Sequence, residues 1–338
     1  MSAPQVAGWR VYRGTGEPLD PAERDRRWPA PPRWRAFDGG PDEPPAPSED
    51  PDLRRRLGTA TAPAGPDPRE VDVVNAALLL RRPLLVTGRA GSGRSSLAYR
   101  IARELGLGRV LHWPVSAHDT VRAGLYQHDP LGRVRAGRGD DRSVGDELGE
   151  HLSLGPLGTA LLPYRAPRVL LVDELDQSDI DLPQQLRTVF DDGGFDIPEL
   201  VRAAGRSPEV TVHTADPGGR ATVRGGRVRC HEFPLVVMTC TEDRVFPPAF
   251  LRHCLRLRLA DPDEAALLRM VDAHFAERPA GAAGLVRAYL DRRHGPDAPT
   301  LDQLLDAVQL AAADADDAPD WDRLAEVLWR GGPTADPE

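Results

Sequence analysis

"GRAGSGRSS", Gly88 to Ser96, decides how this chain reads. Just before it lies "RRPLLVT", Arg81 to Thr87, a short apolar run suited to a buried strand. Just after it a helical pattern runs from Ser95 to Leu105, with Leu97, Ile101 and Leu105 one turn apart on a single face. Strand, glycine loop and helix in that order give the loop a physical task. Gly88, Gly91 and Gly93 let successive backbone N–H groups turn inward, and the helix N-terminus adds positive potential. The result is a cradle for phosphate, with Ser92 and Ser96 in the same stretch. The spacing matches G-x-x-x-x-G-K-[ST], with Arg94 in the lysine position. Ser95 stands where a hydroxyl would ligate Mg²⁺ bound to the phosphates.

Further along, "VLLVDELD" carries four apolar residues through a buried strand and delivers Asp173 and Glu174 at its C-terminal end. Ligands of open α/β sheets bind at that end of the strands. Asp173 is placed to hold Mg²⁺ through water, and Glu174 to polarise an attacking water. An apolar run ending in two acids is weak evidence alone; with the loop upstream it is strong.

"RVLHWPV", "FPLVVMTC" and the alternating "LRLRL" are further strand candidates, and helical stretches separate several of them. This predicts a mainly parallel five-stranded sheet covered on both sides. Two segments interrupt the alternation. Residues 116–165 are polar and glycine-rich, whereas residues 209–230 alternate β-branched residues around "DPGG" and "RGGR", a hairpin signal. Arg220, Arg224, Arg227 and Arg229 of that hairpin read as a solvated face rather than a binding surface.

Three stretches divide the chain. Residues 1–68 are rich in Pro, Arg and Asp and poor in aliphatic residues, but hold Trp9, Trp28 and Trp34. They cannot build a core, and read as an arm of low regular structure that lies on the body of the chain or docks a partner. Residues 69–260 carry the α/β pattern. Residues 261–334 read as a small all-helical domain, in which Thr300 and Gln303 form a capping box and "WDRLAEVLW" is the last helix.

Composition limits the alternatives. The 338 residues carry a net charge of −9, which disfavours non-specific binding to nucleic acid or an anionic membrane. No apolar run approaches the ~20 residues a membrane-spanning helix needs. Cys230, Cys240 and Cys254 lack metal-ligand spacing and fit a reduced, cytoplasmic setting. All 43 basic residues are arginine, so Arg94 reflects a drift of composition as much as a choice at that site.

The loop, the acidic strand end, the polar-ended strand "VVMTCT", the segment "FPPAFLRHCLRLRL" and the helical tail together resemble an AAA+ ATPase, specifically the MoxR-like branch. The resemblance covers about residues 70–330. It implies a sheet domain with a helical lid, ATP and Mg²⁺ as ligands, and a homo- or hetero-oligomeric ring with nucleotide between subunits. It also implies chaperone-like remodelling of a protein client, often beside a von Willebrand A-type partner. Three positions depart from the family pattern. Arg94 replaces a lysine, and a guanidinium is a wider, planar fork. Thr241 stands where the family offers an asparagine to place the lytic water. His253 stands where an arginine reaches the neighbouring subunit's site, with Arg252 one residue earlier. Arg287, Arg292 and Arg293 of the lid read as solvated, not as a sensor arginine. Two readings follow: an ATPase that remodels a client, or a nucleotide-binding switch or scaffold subunit with weak or no hydrolysis.

Overall fold

In the computed structural model, residues 9–47, 50–58, 67–89, 91–129, 144–241, 244–275, 277–279, 281–293, 298–313 and 328–329 are described. Five strands form a wholly parallel sheet: β1 (Leu84–Thr87), β2 (Leu111–Pro114), β5 (Val169–Asp173), β10 (Leu235–Cys240) and β11 (Leu255–Arg258), in the order β11-β1-β10-β5-β2. This is an α/β fold of the P-loop kind. The strand leading into the glycine loop and the strand ending in Asp173 are separated by β10 alone.

The strands are apolar along their length because both faces are covered. Leu84, Val86, Val169, Leu171, Leu235 and Val237 enter one cluster with the helices Pro68–Leu80 and Arg94–Leu105. Their neighbours Leu85, Leu170, Val172, Val236 and Met238 enter the opposite cluster, under the helices Pro156–Ala160 and Leu182–Asp192. Side chains alternate across a strand, so parity fixes which residues reach the helix that starts at the glycine loop. Asp173, Thr239 and His112 all share parity with that first face.

The hairpin expected at residues 209–230 is present: β7 (Glu209–His213) pairs with β8 (Arg220–Arg224), which turns through Gly225 and Gly226 into β9 (Arg227–Arg229). It belongs to a larger structure. With β3 (Tyr126–His128), β4 (Leu152–Leu154) and β6 (Gly194–Asp196) it makes a second sheet ordered β3-β4-β7-β8-β9-β6. The two interruptions of the α/β alternation are thus partly one sheet. Asp216, between β7 and β8, makes a two-pronged ion pair at 2.7 and 2.8 Å with Arg168, which precedes β5 and is 1% exposed.

Residues 9–47 and 50–58 lie on the body of the chain. Val11 and Tyr12 are buried, and their backbone N–H groups donate to Asn75 Oδ1 at 2.7 and 3.0 Å. The Glu104 carboxylate, on the helix that starts at the glycine loop, accepts the N–H groups of Arg13, Gly14 and Gly16. Phe37 stacks on Phe233 with centroids 5.9 Å apart, and the guanidinium of Arg81 lies over Trp28. Trp34 is 80% exposed.

The helices Glu264–His274, Ala282–Arg292 and Leu301–Ala313 pack into a third cluster around Leu267, Val286 and Leu304. The capping box is formed, with Thr300 N–H donating to Gln303 Oε1 at 2.7 Å and Gln303 N–H to Thr300 Oγ1 at 3.2 Å. "WDRLAEVLW" lies outside the described residues except for Leu328 and Trp329. No helix among the described residues is long and apolar enough to cross a membrane.

Candidate functional site

The glycine loop opens directly into the helix Arg94–Leu105, one residue earlier than the pattern placed it. Gly93 is the helix N-cap, at φ 83° and ψ 22°, a left-handed conformation that costs an L-residue with a side chain ~1–2 kcal/mol. Gly88 is needed for a different reason. A Cβ there would sit 2.6 Å from Ser92 Oγ, so only glycine lets Ser92 fold back over the strand end. The helical lid touches the loop: a Cβ on Gly91 would meet Tyr289 Oη at 3.2 Å, and Arg89 donates to the Arg293 carbonyl at 2.9 Å.

Two polar atoms of the loop are buried without a hydrogen-bond partner, Ser92 Oγ and Arg94 Nη1. Native proteins seldom leave such groups unmatched, and here both belong to the glycine loop. Ser96, the next residue of the helix after Ser95, is half-buried.

Ser95 Oγ donates to Asp173 Oδ1 at 2.6 Å, and Thr239 Oγ1 donates to the same oxygen at 2.6 Å. His112 Nε2 lies 3.1 Å from Asp173 Oδ2. Burial pushes this carboxyl up, but the hydrogen bonds from His112, Ser95 and Thr239, with the charge of His112, more than offset it and hold the pKa at about 2. The ends of β2, β5 and β10 and the first turn of the helix therefore converge on one fixed carboxylate. His112 and Thr239 were not among the residues expected from sequence, although parity along "LHWP" and "LVVMTC" places both on the face of Asp173.

Glu174 follows at φ 59° and ψ 48°, one of two described non-glycine residues with positive φ. Its side chain is exposed, and its N–H donates to Thr239 Oγ1 at 2.9 Å. Thr241 turns elsewhere: its hydroxyl donates to Asp176 Oδ2 at 2.9 Å. Arg252 and His253 end the helix Pro248–His253. His253 Nδ1 sits 3.3 Å from Asp191 Oδ1 of the same chain, and that carboxylate also holds Arg35 at 3.1 Å. The Arg252 side chain is exposed, and its carbonyl accepts from Arg82.

Of the loop residues Gly88, Gly91, Ser92, Gly93, Arg94 and Ser95, Ser95 thus meets Asp173, with Glu174 the next residue at the strand end, while Thr241 and His253 are engaged with other carboxylates. The lid arginines are also accounted for. Arg287 pairs with Glu264 at 2.8 Å, Arg292 lies over Trp329, and Arg293 donates to the Pro262 carbonyl. The four hairpin arginines are each paired: Arg220 with Glu150, Arg224 with Glu209, Arg227 with Asp196 and Arg229 with Asp38. Exposed pairs of this kind contribute little to stability, but they leave the face locally neutral. Burial holds all three cysteines protonated, with Cys240 pushed up to about 11 and Cys230 and Cys254 to about 12.

No family model matches the chain, and no curated protein matches it. Among solved structures it is similar to NtrX from Brucella abortus in complex with ADP, with 13% identity, a TM-score of 0.39, and coverage of 80% of this chain and 57% of that one. It is likewise similar to NtrX from the same organism in complex with ATP, with 14% identity, a TM-score of 0.40, and coverage of 79% and 56%. The chain thus spans little more than half the length of the NtrX chains it matches.

Proposed function

We propose that this chain binds ATP with Mg²⁺ at the glycine loop and hydrolyses it, as an AAA+ ATPase of the MoxR-like kind that remodels a protein client. The observation that carries the proposal is the convergence of the loop, with the unpartnered Ser92 Oγ and Arg94 Nη1, on the Ser95–Asp173 pair. The backbone N–H groups of the loop hold phosphate oxygens, and Arg94 adds a guanidinium that donates to them. Ser95 and Asp173 supply oxygen donors of the type that suits Mg²⁺, which takes most of its other ligands from phosphate and water. When bound, that cation neutralises charge developing on the phosphate oxygens. Glu174 polarises the attacking water. Arg252, free of Asp191, is the better candidate than His253 for a cation offered to a neighbouring subunit, in a homo- or hetero-oligomeric ring of a cytoplasmic protein. A von Willebrand A-type protein is the partner the family resemblance favours.

A second reading has its own support. Thr241 is tied to Asp176 and His253 to Asp191, so neither is presented to a phosphate. On this reading the chain is a nucleotide-binding switch or scaffold subunit with slow turnover. Titration with a fluorescent ATP analogue beside a phosphate-release assay separates the two. Tight binding with steady release, abolished by Glu174→Gln, establishes the ATPase. Tight binding with little or no release by the wild type establishes the switch, and absence of binding at about millimolar nucleotide excludes both. Arg94→Ala is expected to weaken binding about tenfold or more, the usual loss for a hydrogen bond to a charged group.

A further inference from the structure

We propose that Arg244 is a positioning residue for Glu174, holding its carboxylate in place by clamping the turn that follows the acidic pair. The inference rests on the reading of Glu174 as the residue that polarises the attacking water.

Glu174 needs such a device. A glutamate in the left-handed region is strained by about 1–2 kcal/mol, and such residues persist only where their surroundings determine them. The chain then makes a single 3₁₀ turn, Leu175–Gln177, closed by Gln177 N–H donating to the Glu174 carbonyl at 2.8 Å. A turn this short has few bonds of its own: Ser178 N–H donates to the Leu175 carbonyl at 3.2 Å, and Ser178 Oγ to the same carbonyl at 2.8 Å.

Arg244 adds to them. Its Nη1 donates to the carbonyls of Asp176 at 2.5 Å and Ser178 at 2.6 Å, and reaches that of Leu175 at 3.4 Å. Its Nη2 donates to the Asp179 carbonyl at 3.1 Å. The guanidinium is backed by Phe246, with its carbon 5.3 Å from the ring centroid, and Phe246 is itself buried against Phe250. One planar group is therefore held between an aromatic face and four carbonyls of one turn. Lysine could not replace it, having three donors on a compact ammonium and no plane to lie on the ring.

The clamp spans the two strands that matter. Arg244 follows β10, which carries Thr239, and it grips the residues following β5, which carries Asp173. Thr241 Oγ1 to Asp176 Oδ2 is a second tie across the same gap. Because its donors are directed at these carbonyls, Arg244 acts through Glu174 rather than on phosphate.

The test uses the full chain with Mg²⁺ and ATP, and compares Arg244→Ala, Arg244→Lys, Glu174→Gln and the double variant Glu174→Gln/Arg244→Ala. Phosphate release gives kcat and KM, a fluorescent ATP analogue gives affinity, and amide hydrogen exchange reports on residues 174–179. Arg244→Ala should lower kcat about tenfold or more, change analogue affinity less than about twofold, and speed exchange at Gln177 and Ser178. Arg244→Lys, the variant least prone to misfold, should recover only part of kcat. The double variant should be no slower than Glu174→Gln, since both changes act through one group. Unchanged kcat in both Arg244 variants beside an active wild type and an inactive Glu174→Gln overturns the inference alone. So does unchanged exchange across the turn, or a further loss in the double variant. A wild type that releases no phosphate, or a Glu174→Gln variant as fast as wild type, removes the reading of Glu174 and this inference with it.

Discussion

Ser95 and Asp173 are joined by a 2.6 Å hydrogen bond from hydroxyl to carboxylate, which links the first turn of the loop helix to the end of β5. The bond is one of three that stabilise the ionised carboxylate, and it makes Asp173 a source of pH-dependent stability. An unfolded aspartate titrates near the ordinary value of about 3.9. The folded pKa of about 2 lies below that, so the contribution is complete above about pH 5 and is lost as pH falls through about 4 towards 2. It amounts to roughly 2 kcal/mol at neutral pH. Urea denaturation of wild type and Asp173→Asn should give a stability difference that shrinks from about pH 7 to about pH 3. An equal difference at both would show that the bonds to Asp173 do not favour its charged form.

The glycine loop makes a prediction about two residues at once. Gly88→Ala places a methyl group 2.6 Å from Ser92 Oγ and 3.2 Å from the Leu259 carbonyl, so the variant should be destabilised by about 1–3 kcal/mol. Removing the hydroxyl with Ser92→Ala should relieve part of that, giving a coupling of about 0.5 kcal/mol or more in a double-mutant cycle. Gly93→Ala, where the added methyl meets open space, should cost ~1–2 kcal/mol through backbone conformation alone and show no coupling to Ser92. Thermal or urea midpoints of the wild type, the three single variants and the two double variants with Ser92→Ala decide the matter.

Glu104 is 1% exposed and accepts backbone N–H groups from Arg13, Gly14 and Gly16. Glu104→Ala should release these residues from the helix and cost about 2–4 kcal/mol, since several donors lose a charged acceptor together. Limited trypsin digestion read by mass spectrometry should then show cleavage at Arg10 and Arg13 well before the rest of the chain. Wild-type cleavage kinetics in the variant would mean the carboxylate is dispensable for the arm.

Arg168 and Asp216 form an ion pair between the start of β5 and the turn from β7 to β8, at 1% and 6% side-chain exposure. Asp216→Ala strands a buried guanidinium and should cost about 3–5 kcal/mol. Replacing both partners with apolar residues, Arg168→Met with Asp216→Leu, should be less damaging than the single change. Calorimetric midpoints of the three proteins test this ordering.

The parts of the site that could be read from sequence are those that chain proximity specifies. "VTGRAGSGRSS" contains strand, turn and helix start within a few residues, and "VLLVDE" announces both a buried strand and its acidic end. His112 and Thr239 were equally available in principle, because alternation along a strand of known face puts them beside Asp173. They stand inside apolar strands, where a single polar residue carries no signal of its own, whereas Thr241, two residues after Thr239, matches the polar strand end of the family pattern. Arg244 could not have been found this way. It sits among irregular backbone, and its partners are carbonyls, which every residue possesses. The second sheet was legible only as its hairpin, since β3, β4 and β6 are short and find their partners across long stretches of chain.

The hold of the arm on the loop helix has a consequence for how the molecule is made. Arg13 and Glu104 are 91 residues apart, and Asp38 and Arg229 are 191 apart. Residues 9–47 leave the ribosome before the residues they dock on, and cannot take their places until those are present. Contacts of such separation form slowly, so arm docking should be a late folding event. A fragment begun at residue 69, where the composition changes, would lack the groups that cover Glu104 and Asn75. It would leave Glu104 bare on the helix that starts at Arg94 and Asn75 bare on the helix Pro68–Leu80, and would be a poor substitute for the full chain in any assay of nucleotide binding.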